Sequence, residues 1–133
     1  MPAVCVDTHA IVWYLAGDPR LSAKAAATLD QTTAEGEPIY VPSVCLVELT
    51  YLIEKGRVPA AARERLVRAL DDPGRPCRVA PLDRAVADAL EFVSRDEVPD
   101  LPDRVVSATA VALRVPLVSR DGKIRASHVH TIW

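Results

Sequence analysis

The sequence is poor in features that several large classes of protein require. It has 5 glycines and aromatic residues make up 5% of the chain, so neither a Gly-rich phosphate loop nor an extended base-stacking surface is indicated. Its hydrophobic stretches are short and interrupted, so we expect no membrane-spanning segment and no membrane partner. No basic segment followed by an apolar run stands at the start, so we expect a cytoplasmic protein without a secretory signal.

Cysteine is also scarce. The three cysteines are Cys5, Cys45 and Cys77, an odd number whose spacing matches no zinc-binding pattern. Each has apolar neighbours, so we expect all three to be small buried side chains. With 133 residues the chain can bury a core without disulfides, and we expect a single domain over residues 1–133.

Net charge gives little information, but the distribution of charge gives more. The net charge is −2, yet residues 55–78 contain seven basic side chains against three acidic ones. Residues 83–103 contain two basic against seven acidic side chains, and residues 104–133 five basic against one acidic. An acidic centre between Arg-rich segments suits a metal site that acts on a polyanion, and ordinary solvated helix faces explain the pattern equally well.

Short apolar segments alternate with helical ones along the whole chain. This alternation predicts an α/β layered fold with a mostly parallel sheet. Ser22, Ser43 and Asp83 are predicted to cap three of the helices. The predicted strands are residues 3–7, 39–41, 78–80, 117–119 and 130–132, and the predicted helices are residues 8–16, 22–33, 43–56, 59–72, 83–94 and 103–114.

Glu48 is the most unusual acidic residue. It is the only charge within residues 43–53, an apolar segment that predicts a buried helix. A buried carboxylate without a partner costs several kcal/mol, so Glu48 is predicted to line a cleft or to be neutralised from outside its helix. A metal ion is one such neutralising group. The residues three and four positions away cannot pair with a carboxylate: Val44, Cys45, Tyr51 and Leu52.

Three aspartates stand at the ends of predicted elements. Asp7 ends the first strand, Asp103 opens a helix and Asp121 lies in a turn sequence. Helix capping, a helix-dipole contact and turn chemistry would explain them one by one. Ligand sites in open parallel sheets lie beyond the carboxyl ends of the strands. We therefore expect Asp7, Glu48 and Asp121 at one edge of the sheet, whereas this rule does not place Asp103.

A divalent cation would make such a cluster chemically useful. Clustered carboxylates repel one another, and a hard cation relieves that repulsion. Oxygen ligands suit Mg²⁺ or Mn²⁺, which activate water and stabilise a phosphoryl transition state. We therefore expect Asp7, Glu48 and Asp121 to be metal ligands and catalytic residues for phosphodiester cleavage.

Other polar side chains near the acids give weaker signals. His9 follows Asp7 at a helix start, a position that is usually structural, and His128 and His130 are too few for a closed zinc site. Three hydroxyl side chains either orient a ligand or water or bond to the local backbone: Ser107, Thr109 and Ser119.

In four segments the sequence resembles the PIN-domain family, and within it the VapC-type toxins. The segments are residues 6–13 (VDTHAIVW), 43–49 (SVCLVEL), 100–110 (DLPDRVVSATA) and 117–121 (LVSRD). Each contains one of the four acids named above, and the terminal Ile132-Trp133 is also similar to this subgroup. The resemblance follows the family's order over essentially the whole chain.

The resemblance implies a PIN-like three-layer fold with a short, mostly parallel central sheet and helices on both faces. It also implies an RNA substrate, a homodimer, and a cognate antitoxin that blocks an acidic pocket. In that pocket Asp103 joins the other three acids as a catalytic residue and ligand of Mg²⁺ or Mn²⁺, which completes the set Asp7, Glu48, Asp103 and Asp121. The expected function is that of a metal-dependent endoribonuclease, the toxin of a type II toxin–antitoxin pair. Where relatives often have an aromatic residue before the third acid, this chain has Leu101-Pro102, a difference at the pocket rim.

Three other functions deserve comparison. A receiver-like phosphoacceptor domain usually has adjacent acids after its first strand, but Asp7 lies between Val6 and Thr8, and Lys123 follows a turn aspartate. A haloacid-dehalogenase-like phosphatase would have a second aspartate where His9 stands. A catalytically inactive PIN fold used for protein binding is the third, and the presence of all four acids argues against it.

Overall fold

Five short strands form the central sheet, which lies within residues 3–133, the part of the chain that the computed structural model describes. The strands are β1 (Val4–Val6), β2 (Ile39–Pro42), β3 (Cys77–Ala80), β4 (Leu117–Val118) and β5 (Thr131–Ile132). Their order is β3-β2-β1-β4-β5, and every neighbouring pair is parallel. Each predicted strand is confirmed to within one residue at either end, and the sheet is parallel throughout rather than mostly.

Seven helices connect these strands within the described residues and flank the sheet. They are α1 (Thr8–Ala16), α2 (Ala23–Ala34), α3 (Ser43–Glu54), α4 (Ala61–Asp71), α5 (Arg84–Ala89), α6 (Leu101–Leu113) and α7 (Gly122–Arg125). A 3₁₀ turn, Leu90–Phe92, extends α5. The sequence predicted a turn where α7 stands. Among residues 3–133, no helix has the length and apolar character needed to cross a membrane.

The core is built around β1, the middle strand of the sheet. All three of its residues are fully buried, because strands covered on both faces must be apolar throughout. Its neighbours are β2 and β4, and the backbone N–H of Asp7 continues the pairing by donating to the carbonyl of Val118 at 3.2 Å. The residues that follow β1 and β4 therefore meet at one edge of the sheet. The three cysteines are buried, as expected.

Two predicted helix starts were wrong. Ser43 is the first residue of α3 and not its cap, and its Oγ accepts instead from the N–H of Leu82 at 3.0 Å. Asp103 does not open α6, because Asp100 caps this helix by accepting from the Asp103 N–H at 3.1 Å. The caps at Ser22 and Asp83 are confirmed. The helix predicted to reach residue 94 gives way to the 3₁₀ turn after Ala89.

Helix α3 lies at the surface, which contradicts the expectation of a buried helix. Only Cys45 and Leu49 are buried in it, whereas Val47 is 69% and Tyr51 is 56% exposed. Glu48 is accordingly only partly buried. Its isolation among apolar residues therefore does not reflect a charge in the core. It reflects an apolar surface on α3 in which Glu48 is the only charge before Glu54 at the end of the helix.

Candidate active site

The four predicted acids line one pocket at the carboxyl edge of the sheet, called the acidic pocket below. Asp7 follows β1, Glu48 lies in the second turn of α3, Asp103 in the first turn of α6, and Asp121 directly before α7. Asp103, which the strand-end rule could not place, arrives there because α6 packs against both α3 and β1. A fifth carboxylate, that of Asp100, also lines the pocket.

Asp7 is held by hydrogen bonds to both of its carboxylate oxygens. Oδ1 accepts from the backbone N–H of Ala10 at 2.9 Å and so caps α1. Oδ2 accepts from the Ser119 hydroxyl, whose oxygen in turn accepts from the backbone N–H of Asp121 at 3.1 Å. Asp7 is thus both a helix cap and a pocket residue. Ser119 fixes its orientation and couples it to the segment that contains Asp121.

Asp121 has a similar double position. Its Oδ1 accepts from the backbone N–H groups of Lys123 and Ile124, both at 3.0 Å, and this caps α7. Its other oxygen, Oδ2, makes no hydrogen bond to residues 3–133. One oxygen therefore fixes the carboxylate and the other remains available to a ligand.

The acidic pocket concentrates negative charge. Burial, followed by repulsion from Asp121, Asp100, Glu48 and Asp7, raises the pKa of Asp103 to about 7. Burial also raises the pKa of Asp7, although its hydrogen bonds from Ser119 and Ala10 lower it. No ion pair within residues 3–133 joins a pocket carboxylate to a basic side chain. The pocket therefore suits a ligand that brings positive charge.

The donor set fits a divalent cation that keeps part of its water shell. Among the described residues, no three His, Cys, Asp or Glu side chains stand close enough to form a closed ligand cage. Mg²⁺ usually takes only one or two protein carboxylates and retains several waters, so separated carboxylates around an open pocket are compatible with it. Thr8 also lines this pocket, but its hydroxyl oxygen is buried beside the Cys45 thiol.

The weaker sequence candidates divide between the pocket and the rest of the molecule. His9, interpreted as structural, is exposed and lines the pocket. Thr109 donates to the Val105 carbonyl at 2.7 Å, the local alternative considered for it. Ser107 is buried without a partner and does not line the pocket. His128 pairs with Glu97 at 3.1 Å, and neither residue lines the pocket.

Sequence reasoning did not assign Arg120 and Trp13 to the site. Arg120 lines the pocket beside Asp121, and Trp13 reaches it from α1. The sequence offered one signal for Arg120, its place inside the fourth motif. Trp13 had the same kind of signal, its place at the end of the first motif, but an aromatic residue on a helix is more often part of the core.

Comparisons with known proteins agree with this architecture. A family model described as PIN domain matches residues 4–127, whereas no curated protein matches the chain. The fold is similar to a chain of VapBC2 from Rickettsia felis, solved bound to a DNA fragment from its promoter, with a TM-score of 0.71, 16% identity, and coverage of 97% of this chain and 96% of that one.

Two further solved structures share the fold. FitAcB from Neisseria gonorrhoeae has a TM-score of 0.61 and 20% identity, over 96% of this chain and 95% of that one. A toxin–antitoxin complex from Klebsiella pneumoniae has a TM-score of 0.59 and 18% identity, over 92% and 91%. Identities this low show a common fold and no more. The family model spans nearly the whole chain, and the protein therefore belongs to the PIN domain family.

Proposed function

We propose that this protein is a metal-dependent endoribonuclease and the toxin of a type II toxin–antitoxin pair. The observation that carries the proposal is the meeting of Asp7, Glu48, Asp103 and Asp121, from four separate elements, in one pocket without an ion-paired counter-charge among residues 3–133. Membership of the PIN domain family supports it. So does the likeness of the fold to chains of toxin–antitoxin complexes.

The four carboxylates would hold Mg²⁺ or Mn²⁺, which supplies an activated water and stabilises the charge of the transition state. Ser119 keeps the Asp7 carboxylate oriented towards this centre through its hydrogen bond. Because the pKa of Asp103 is about 7, its carboxyl oxygens can hold or release a proton near neutral pH. A cation favours the ionised carboxylate, so binding should release a proton and strengthen as the pH rises.

Exposed apolar side chains near the acidic pocket are a reason to propose protein partners. Val47, Tyr51 and Leu101 are 69%, 56% and 62% exposed, and clusters of exposed apolar side chains mark interaction sites. We infer that this surface serves a homodimer contact or the cognate antitoxin. The excess of acids in residues 83–103 favours an antitoxin with a basic side chain that enters the pocket and blocks it. We expect the protein to act on RNA in the cytoplasm.

The test is RNA cleavage by the purified protein with Mg²⁺, with Mn²⁺ and with EDTA, beside Asp7→Asn and a matched control, Asp96→Asn. Asp96 is exposed and lies outside the pocket. We expect cleavage by the wild type and by Asp96→Asn only with a cation, and none by Asp7→Asn. Intact RNA in every arm would favour the inactive, protein-binding PIN fold. The receiver-like and dehalogenase-like alternatives are set aside by the family match.

A further inference from the structure

The rim of the acidic pocket contains a cluster of aromatic and cationic side chains around Trp13. The Trp13 side chain is 7% exposed. The rings of His9 and Trp133 lie 5.5 and 6.1 Å from it. The guanidinium groups of Arg20 and Arg120 lie 5.0 and 5.6 Å from the centre of its ring. One buried indole thus holds two cations, an arrangement that cation–π attraction stabilises.

The two arginines differ in what else they contact. Arg20 forms a two-pronged ion pair with Asp18, with Nη2 to Oδ2 at 2.7 Å and Nε to Oδ1 at 3.1 Å. Arg120 makes no hydrogen bond or ion pair with any residue in 3–133, although five carboxylates line the same pocket. The charge of Arg20 is therefore paired with a carboxylate, whereas the exposed Arg120 has its N–H donors free for a ligand.

We propose that Arg120 binds a phosphate of the RNA backbone next to the scissile phosphodiester, and that Trp13 positions it for this contact. The proposal rests on the proposed nuclease function. Arg120 lines the pocket beside Asp121, and its guanidinium lies over the Trp13 ring without an ion pair to the acids. The scissile phosphate belongs at the acids with the cation. The phosphate next to it in the RNA backbone then lies at the rim of the pocket, where Arg120 can bind it.

The chemistry of the rim favours a phosphate over other anions of the substrate. Guanidinium presents parallel N–H donors that match the oxygens of a phosphate. Stacking on Trp13 orders the side chain before the RNA arrives, so less conformational freedom is lost on binding. Among the described residues that line the acidic pocket, Arg120 is the only Lys or Arg. It thus offsets the repulsion between RNA and the carboxylates.

The first experiment measures binding without cleavage. Fluorescence anisotropy follows a labelled single-stranded RNA of about 12 nucleotides as salt rises, with Ca²⁺ in place of Mg²⁺. We expect Arg120→Met to bind about tenfold more weakly and to reduce the slope of log affinity against log salt by about 0.7. Arg120→Lys should keep the slope but bind more weakly than the wild type, because lysine keeps the charge and loses the parallel N–H donors of guanidinium.

The matched control is Arg20→Met, which removes the other cation from the same indole. It should leave both affinity and slope unchanged, since the charge of Arg20 is already paired with Asp18. If Arg120 only supported Trp13, Arg120→Met would lower the melting temperature and keep the wild-type slope, and that result would overturn the proposal. Equal slopes for the wild type, Arg120→Met and Arg20→Met would overturn it as well.

The second experiment identifies the phosphate. In an RNA that the wild type cleaves, neutral methylphosphonates replace the linkages one at a time around the cleavage site. One neighbouring linkage should raise KM about tenfold for the wild type and Arg20→Met, with kcat unchanged, and have no further effect on Arg120→Met. If the effects of the methylphosphonate and of Arg120→Met on KM add at every linkage, no phosphate contacts Arg120 and the proposal is refuted. If the wild type cleaves no RNA, the proposed function fails. The slope of log affinity against log salt in the first experiment still shows whether Arg120 binds a phosphate.

Discussion

Replacing Asp103 by Asn should remove a large part of the pH dependence of folding stability in the metal-free protein. The pKa of Asp103 is about 7 in the folded chain, against about 3.9 for an unfolded aspartate. Between these values the folded state binds more protons than the unfolded state. The free energy of unfolding therefore falls as the pH rises from about 4 to about 7, and Asn, which does not ionise, cannot take part in this fall.

The size of the effect follows from the shift and from the exposure of the side chain. A rise from about 3.9 to about 7 corresponds to about 4 kcal/mol at full strength. Asp103 is partly exposed, and solvent screening reduces the expected loss to on the order of 1–2 kcal/mol. The lost attraction between the carboxylate and the N-terminus of α6 opposes this gain by about 0.5 kcal/mol. At about pH 8, Asp103→Asn should be more stable than the wild type by about 1 kcal/mol.

The assay is thermal or urea unfolding in EDTA from about pH 5 to about pH 8, with Asp96→Asn as the control. For a chain of this length, 1 kcal/mol moves the melting temperature by about 4 °C. The wild type and Asp96→Asn should lose stability together over this range, whereas Asp103→Asn should lose distinctly less. A wild type whose stability stays constant over this range, or an Asp103→Asn variant that keeps the full slope, would refute the reasoning.

Three further predictions concern the same pocket and its surroundings. Asp7→Asn should lower RNA cleavage by at least about a hundredfold while its melting temperature stays level or rises, because Asn still caps α1; full activity would contradict a role for Asp7 in the metal centre. Mg²⁺ or Mn²⁺ at about a hundred times its dissociation constant should raise the free energy of unfolding by about 2.7 kcal/mol. At a fixed concentration of the cation the gain should be larger at about pH 8 than at about pH 5.5, and melting scans that show no gain at either pH would count against a metal site. Val47→Asp, which places a charge on the exposed face of α3, should weaken self-association or antitoxin binding in light-scattering measurements and leave the melting temperature unchanged; undiminished association would exclude this surface.

Local chemistry was enough to predict the strands and most helices, and to single out the four acids that line the pocket. The residues of β1 are apolar without interruption because both faces of the strand are covered, and that run is visible in the sequence. Ser22 and Asp83 cap helices through bonds to backbone groups three residues away, a range over which residue type alone is informative. The strand-end rule brought Asp7, Glu48 and Asp121 to one edge for the same reason, since strand direction follows from the alternation of strands and helices.

Only the tertiary structure decided which further side chains join these three acids at the pocket. Asp103 reaches it through the packing of α6 on α3 and β1, and Ser119 reaches Asp7 although the two are 112 residues apart in sequence. Arg120, which follows β4, contacts the ring of Trp13 in α1. Helix α3 proved to be a surface helix because only two of its residues face the core. Such contacts depend on how complete helices and strands pack against one another. Residue type and spacing therefore determined which elements form and which four acids stand out. Packing determined how close the carboxylates lie, which hydrogen bonds hold them and which side chains form the rim of the pocket.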